Sequence, residues 1–300
     1  MMGHTVDNAA GAAADATVRQ KLVNAAIADV SHIATLPEIT LKIVEIVEDP
    51  DSTAADLHRI IANDPALCAR VLKVVNSAFY GLPGQIGSIN RAIVLLGLNA
   101  VKNIAIATSL ATLFRSGQLT PHVSARDIWN HSMAVGAGAK LLAERLRMNL
   151  PDEAFLAGLI HDIGLIVEAQ VLRPRLVEVL DAVHDQHLPM LAMERKVIGA
   201  DHQDFGRALC EKWKFPRPFV CAAGWHHNPM ELSADTRALA CVVHVADVLA
   251  ARAGLGFTGT VGSLDLDPLV LSELKLTDTA VAEVAQKLPE AFDVAGQLMS

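Results

Sequence analysis

Aromatic side chains are scarce in this sequence. Phe, Tyr and Trp make up 4% of the 300 residues, so aliphatic side chains must fill any core. Apolar residues still reach 52%, enough for one large domain or two modest ones. The four cysteines, Cys68, Cys210, Cys221 and Cys241, include no Cys-x-x-Cys pair. They read as reduced core residues of a cytoplasmic protein. Basic charge is in deficit, with 25 Lys and Arg against 33 Asp and Glu and a net charge of −8. That disfavours a dominant nucleic-acid surface. The N-terminus has no basic region followed by an apolar core, since Asp7 and Asp15 sit where that core would lie, so no secretory signal is expected. Ala92 to Phe114 comes nearest to a membrane span, but Asn99, Lys102 and Asn103 lie within it and Gly97 interrupts it. Two buried helices of a soluble protein are the expected outcome, with no membrane. Nor is there an alternating strand pattern of useful length, which leaves an all-α chain.

Residues 1–18 are rich in Ala, Gly, Asp and Thr without an apolar stripe and are expected to form a flexible leader. Ile39, Ile43, Ile46 and Val47 recur at helical spacing, and Asp49-Pro50 should end that helix. Thr53 with Asp56 matches a capping box, Asp64-Pro65 a helix start, and Ser88 a further start. Residues 115–125 turn polar around Gly117 and Pro121 and mark the best internal boundary. This divides the chain into an N-terminal helical part over 19–115 and a second helical part over 126–300. Helices are expected over 127–148, from Asn149-Pro151 through His161-Asp162, and over 174–187, 189–199, 202–213, 216–227, 235–253 and 276–299. Leu264 to Leu276 is less regular and reads as loop.

What the sequence has in quantity is histidine, twelve in all. His4, His32, His58, His122, His184 and His187 lie near predicted termini or polar faces and read as solvent-facing. Six others lie in apolar contexts. His161-Asp162 interrupts the run Phe155 to Val167. A carboxylate there can hardly avoid burial, which costs several kcal/mol unless it is compensated. The adjacent imidazole suggests a cation. His226-His227 is a second doublet, placed before Pro229. Asp247 poses the same burial problem as Asp162, with His244 one turn before it. His131 follows Asp127 by four residues on one helical face. His202 falls in the first turn of a helix, after Asp201. Together His131, His161, Asp162, His202, His226, His227 and Asp247 form one set of nitrogen and oxygen ligands, spread over five helices. Such a set suits one or two divalent ions, with Asp162 as the bridge. Without thiolates, Fe, Mn, Ni and Zn all fit.

The order His131, His161-Asp162, Asp247 resembles the HD superfamily of metal-dependent phosphohydrolases. From about Leu36 to Ala250 the chain is more specifically similar to HDOD proteins, the HD-related output domains of bacterial signalling. Leu36-Pro37, Ile61 to Leu67, Val74 to Gly81, Ser88 to Ile93 and Leu95 to Gly97 carry the likeness in the N-terminal half. Ala157 to Gly164, Gly199 to His202, Trp213 and His226-His227 carry it in the C-terminal half. The resemblance implies an N-terminal helical bundle packed on an HD-like helical subdomain, with a role in signal output. Compared with the related cyclic di-GMP phosphodiesterases of the HD-GYP type, Asp127 stands where those enzymes have a glutamate, and Asp127 and His244 would support the ligands from behind. Leu165 stands where they have a lysine. Asn228-Pro229-Met230 replaces their Gly-Tyr-Pro loop.

Two functions compete. The first is a regulatory output protein acting on signalling partners such as a sensor kinase or a diguanylate cyclase. The second is a phosphodiesterase or phosphohydrolase with a phosphate or nucleotide ligand, in which Asp162 and His202 are the candidate catalytic residues. A third reading, a DNA-binding helix-turn-helix over Ser88–Phe114, is disfavoured by the apolar Ile104-Ala105-Ile106-Ala107 and by the acidic composition.

Overall fold

The computed structural model describes residues 4–33, 38–48, 51–114 and 117–299. The Leu36-Pro37 pair and the Asp49-Pro50 stop signal lie outside them. The described residues are all-α, with no strand and a single isolated bridge between Gln118 and Ser124.

The N-terminal helices are α1 (His4–Ile33), α2 (Glu38–Glu48), α3 (Ala54–Ala62), α4 (Pro65–Val75), α5 (Ile89–Leu96) and α6 (Leu98–Leu110). The expected start signals operate as caps. Thr53 and Asp56 form the capping box of α3, Asp64 accepts from Leu67 N at the head of α4, and Ser88 accepts from Arg91 N at the head of α5. Residues 4–18, expected to belong to a flexible leader, are helical. His4 onward belongs to the 30-residue α1, whose Val23, Ala26, Ile27 and Val30 are buried. The missing apolar stripe in this leader bears on burial, whereas its alanines favour helix. In α6, Ala100 to Leu110 are all buried. Lys102 is tolerated there because its Nζ donates to Ile46 O and Ser52 Oγ. An α6 enclosed in this way cannot enter a DNA groove, which removes the helix-turn-helix reading.

The C-terminal helices are α7 (Ala125–Arg145), α8 (Pro151–Ile160), α9 (Gly164–Val171), α10 (Arg173–Gln186), α11 (Met190–Val197), α12 (His202–Lys212), α13 (Arg217–Trp225), α14 (Ala238–Arg252), α15 (Pro268–Glu273) and α16 (Asp278–Met299). Helix α15 occupies a segment expected to be loop. Helix α7 is the spine, packed on α8, α14 and α16, while α6 packs on α8 and α1 lies along α9 and α12. The buried residues of both parts form one continuous core. Pro151–Val171 is the one stretch among the described residues long and apolar enough to cross a membrane, and 83% of its most apolar window is buried inside the protein.

Candidate metal centre

The His161-Asp162 doublet is not inside a helix as expected. Helix α8 stops at Ile160, and residues 161–163 form a turn before α9. That turn aims both side chains at one point. His161 Nε2 lies 3.2 Å from Asp162 Oδ2 and 3.8 Å from Asp247 Oδ1. His202 Nε2 and His226 Nε2 each lie 3.4 Å from Asp162 Oδ1. His131 Nε2 is 2.8 Å from Asp247 Oδ1, and His227 Nδ1 is 3.9 Å from Asp247 Oδ2. The structure thus brings together all seven residues of the set. They fall into three overlapping groups, Asp162 with His202, His226 and His227, Asp162 with His131 and His161, and Asp247 with His161 and His226, so Asp162 is shared by two of the three.

The two supporting residues behave differently. His244 Nδ1 bonds to the carbonyl oxygen of His226, 2.8 Å away, so it sits behind a member of the set. The Asp127 carboxylate accepts from Ser124 N and Oγ and completes the capping box of α7. It is a cap, not a partner of His131. Its carbonyl oxygen nevertheless accepts from Phe257 N and so anchors the loop beside His131.

Several buried atoms at the centre have no hydrogen-bond partner: His161 Nε2, both carboxylate oxygens of Asp162, and His226 Nε2. They approach to 3.2–3.4 Å without hydrogen-bond alignment. Ligand atoms around an ion with bonds of about 2.0–2.2 Å are spaced in this way. The opposite ring nitrogens are fixed from behind. His161 Nδ1 bonds to Gly158 O, His226 Nδ1 to Ala222 O and His131 Nδ1 to Leu255 O. His202 Nδ1 lies 2.9 Å from both oxygens of Glu194. Carbonyls and carboxylates in these positions direct Nε2 toward the centre, where His131 Nε2 bonds to Asp247 Oδ1 and His202 Nε2 lies 3.1 Å from His227 Nε2. The residues present therefore fit a divalent metal. Such an ion would neutralise two buried carboxylates and supply Lewis acidity at the centre.

Sequence reasoning missed Glu194, although a signal existed. Met190, Met193, Glu194 and Val197 follow an apolar helical period, which puts Glu194 on the buried face of α11. It also missed the glycines as contact points. A Cβ on Gly164 would lie 1.9 Å from His202 O, one on Gly158 2.7 Å from Val135 O, and one on Gly256 2.2 Å from His131 N. Gly256 also has φ +72°, which suits glycine.

A family model for the HDOD domain matches residues 33–229. The chain belongs to the HDOD family. Among solved structures, an HDOD domain protein of unknown function from Geobacter sulfurreducens is similar with a TM-score of 0.80 and 26% identity, over 94% of this chain and 99% of that one. A Shewanella amazonensis protein named as a candidate metal-dependent phosphohydrolase is 25% identical with a TM-score of 0.56, over 86% of this chain and 92% of that one. An uncharacterised protein of Treponema pallidum (strain Nichols) is 26% identical over 206 residues, 68% of this chain and 39% of its own length. YuxH, an uncharacterised protein of Bacillus subtilis (strain 168), is 28% identical over 201 residues, 62% of this chain and 48% of its own length. The HDOD chain therefore spans less than half the length of these two relatives.

The electrostatics of this HDOD centre give it a pH dependence. Burial opposes ionisation of Asp162, yet the imidazoles of His161 and His202 hold its pKa well below the ordinary carboxylate range. Burial likewise opposes a charged His202, but the Glu194 and Asp162 carboxylates raise its pKa from 6.5 to about 10. In the metal-free protein, that raised pKa stabilises the fold fully below pH 6.5 and ceases to do so as the pH rises through about 10. A metal needs the neutral ring, so uptake displaces the proton and affinity rises with pH, about tenfold per pH unit for each proton released. Titration calorimetry with Mn²⁺ across pH 6 to 8 should show this slope. Glu194→Gln removes the larger of the carboxylate effects and should flatten it. A pH-independent affinity in the unsubstituted protein would contradict the assignment of His202.

Proposed function

We propose that this HDOD chain is a cytoplasmic regulatory output protein, in which a divalent metal holds the C-terminal helices in the arrangement a signalling partner reads. The observation that carries this reading is the enclosure of the centre. The side chains of His131, His161, Asp162, His202, His226 and Asp247 are 0–2% exposed, and His227 only 10%. A nucleotide needs a cleft of several hundred Å³ beside its catalytic groups. Leu165, where HD-GYP enzymes have a lysine, is itself buried and offers no charge to a phosphate. Metal in such a site acts on the fold, and the fold presents a surface. Partners of the sensor-kinase or diguanylate-cyclase class suit this role, by family likeness.

A metal-dependent phosphohydrolase, acting on cyclic dinucleotides among other phosphodiesters, is the second reading. The completeness of the ligand set favours it, with Asp162 bridging and His202 positioned to handle a proton. Bis-p-nitrophenyl phosphate with the Mn²⁺- or Fe²⁺-loaded protein separates the two. The regulatory reading expects hydrolysis no faster than with free metal ion. Turnover that Asp162→Ala abolishes would establish the enzyme instead.

A further inference from the structure

A second group of metal-ligating side chains lies outside the buried centre. His122, His184 and Asp185 are exposed, and each offers a ligand atom within 4.8 Å of the others. Sequence reasoning set both histidines aside as solvent-facing, because each lies near a predicted terminus or polar face.

The two imidazoles come from different elements. His122 sits at the tip of the turn before α7, and His184 in the last turn of α10. The tip is rigid. Thr120 Oγ1 accepts from His122 N and Val123 N, Leu119 N donates to Val123 O, and Leu119 and Val123 are buried. Arg173, at the start of α10, donates to Gln118 O and fastens the other end of the turn to the same helix. His122 is thus held against α10 by contacts that do not involve its ring.

The rings stack face to face, with centroids 3.7 Å apart and planes 6° from parallel. A face-to-face sandwich is the arrangement ring quadrupoles favour least. The in-plane lone pairs of parallel rings do not converge, so a shared cation requires one exposed ring to turn out of this stack. Asp185 adds the third group, its Oδ1 2.8 Å from His184 Nδ1.

We propose that His122, His184 and Asp185 form a surface site for a divalent transition metal of the zinc class, which ties the tip of the 117–124 turn to the end of α10. Two imidazoles and one carboxylate with an open fourth position are a zinc donor set. Bonds of about 2.0–2.2 Å need ligand atoms about 3.4 Å apart. Exposed side chains can close from within 4.8 Å by rotation alone, with no movement of the core. Because the turn leads through Ser124 into α7, which carries His131, zinc here also fixes the entry to the spine helix.

Zinc bound per chain after equilibrium dialysis tests the proposal, independently of the buried centre. His122→Ala and His184→Ala should each hold one zinc fewer than the unsubstituted protein, while His58→Ala, on α3, loses none. Asp162→Ala should keep the zinc that His122→Ala loses, and the double variant should lose it again. His122→Ala and His184→Ala retaining the full zinc content would overturn the site, and that comparison stands whether or not Asp162→Ala folds.

Discussion

Asp162→Ala should empty the buried centre, so that in a His122→Ala background the metal content of the protein falls to near zero. Both oxygens of this carboxylate are buried and without hydrogen-bond partners. It approaches three imidazoles, at 3.2, 3.4 and 3.4 Å, and is shared by two of the three buried groups that could hold an ion. Removing it takes away the bridge and leaves His161, His202 and His226 facing one another. Ligand binding also stabilises the fold by mass action, by about 4 kcal/mol at a thousandfold excess over Kd. In the His122→Ala background, which lacks the surface site, added metal should therefore raise the melting temperature by several degrees, and Asp162→Ala in that background should show no such rise. Elemental analysis and a thermal melt with and without metal check both. Full occupancy in the variant would place the metal elsewhere.

Gly164→Ala should destabilise the protein by more than about 3 kcal/mol, beyond the usual range for a single methyl group. The added Cβ would lie 1.9 Å from His202 O and 2.8 Å from Gly206 N, both backbone atoms that cannot rotate away. Helices α9 and α12 would have to separate, and His202 would leave its place beside Asp162. The substitution should lower metal affinity as well as stability. Gly262 is the control, since a Cβ there meets nothing within 4 Å. Gly262→Ala should stay within about 0.5 kcal/mol of the original. Urea unfolding midpoints decide the matter. Equal stability for the two variants would show that the crossing of α9 and α12 is not the constraint described.

The residues that cluster at the centre were legible in the sequence because charge inside an apolar run is a local signal. Asp162 between Ile160 and Ile163, and Asp247 among Val245, Ala246 and Val248, announce a buried charge that something must neutralise. Caps were legible for the same reason, since Thr53 with Asp56 and Asp64 with Pro65 act within one turn. Asp127 shows where two local signals compete. Read forward it pairs with His131, read backward it caps with Ser124, and the hydrogen bonds follow the cap. Glu194 was hidden because a glutamate in a helix ending Arg195-Lys196 looks solvated until its place on the Met190–Met193–Val197 stripe is noticed. Nothing local announces that Gly164 touches His202, 38 positions away. The stacked His122 and His184 share that difficulty, since their meeting depends on how a turn lies against α10.

The most direct test of the central claim, that buried imidazoles and carboxylates converge because a cation holds them, is X-ray diffraction from metal-loaded crystals at the absorption edge of the bound metal. The account predicts an anomalous peak about 2.0–2.2 Å from an Asp162 carboxylate oxygen, enclosed by His161, His202 and His226. Metal-loaded crystals with anomalous density only at other places, and none beside Asp162, would contradict it.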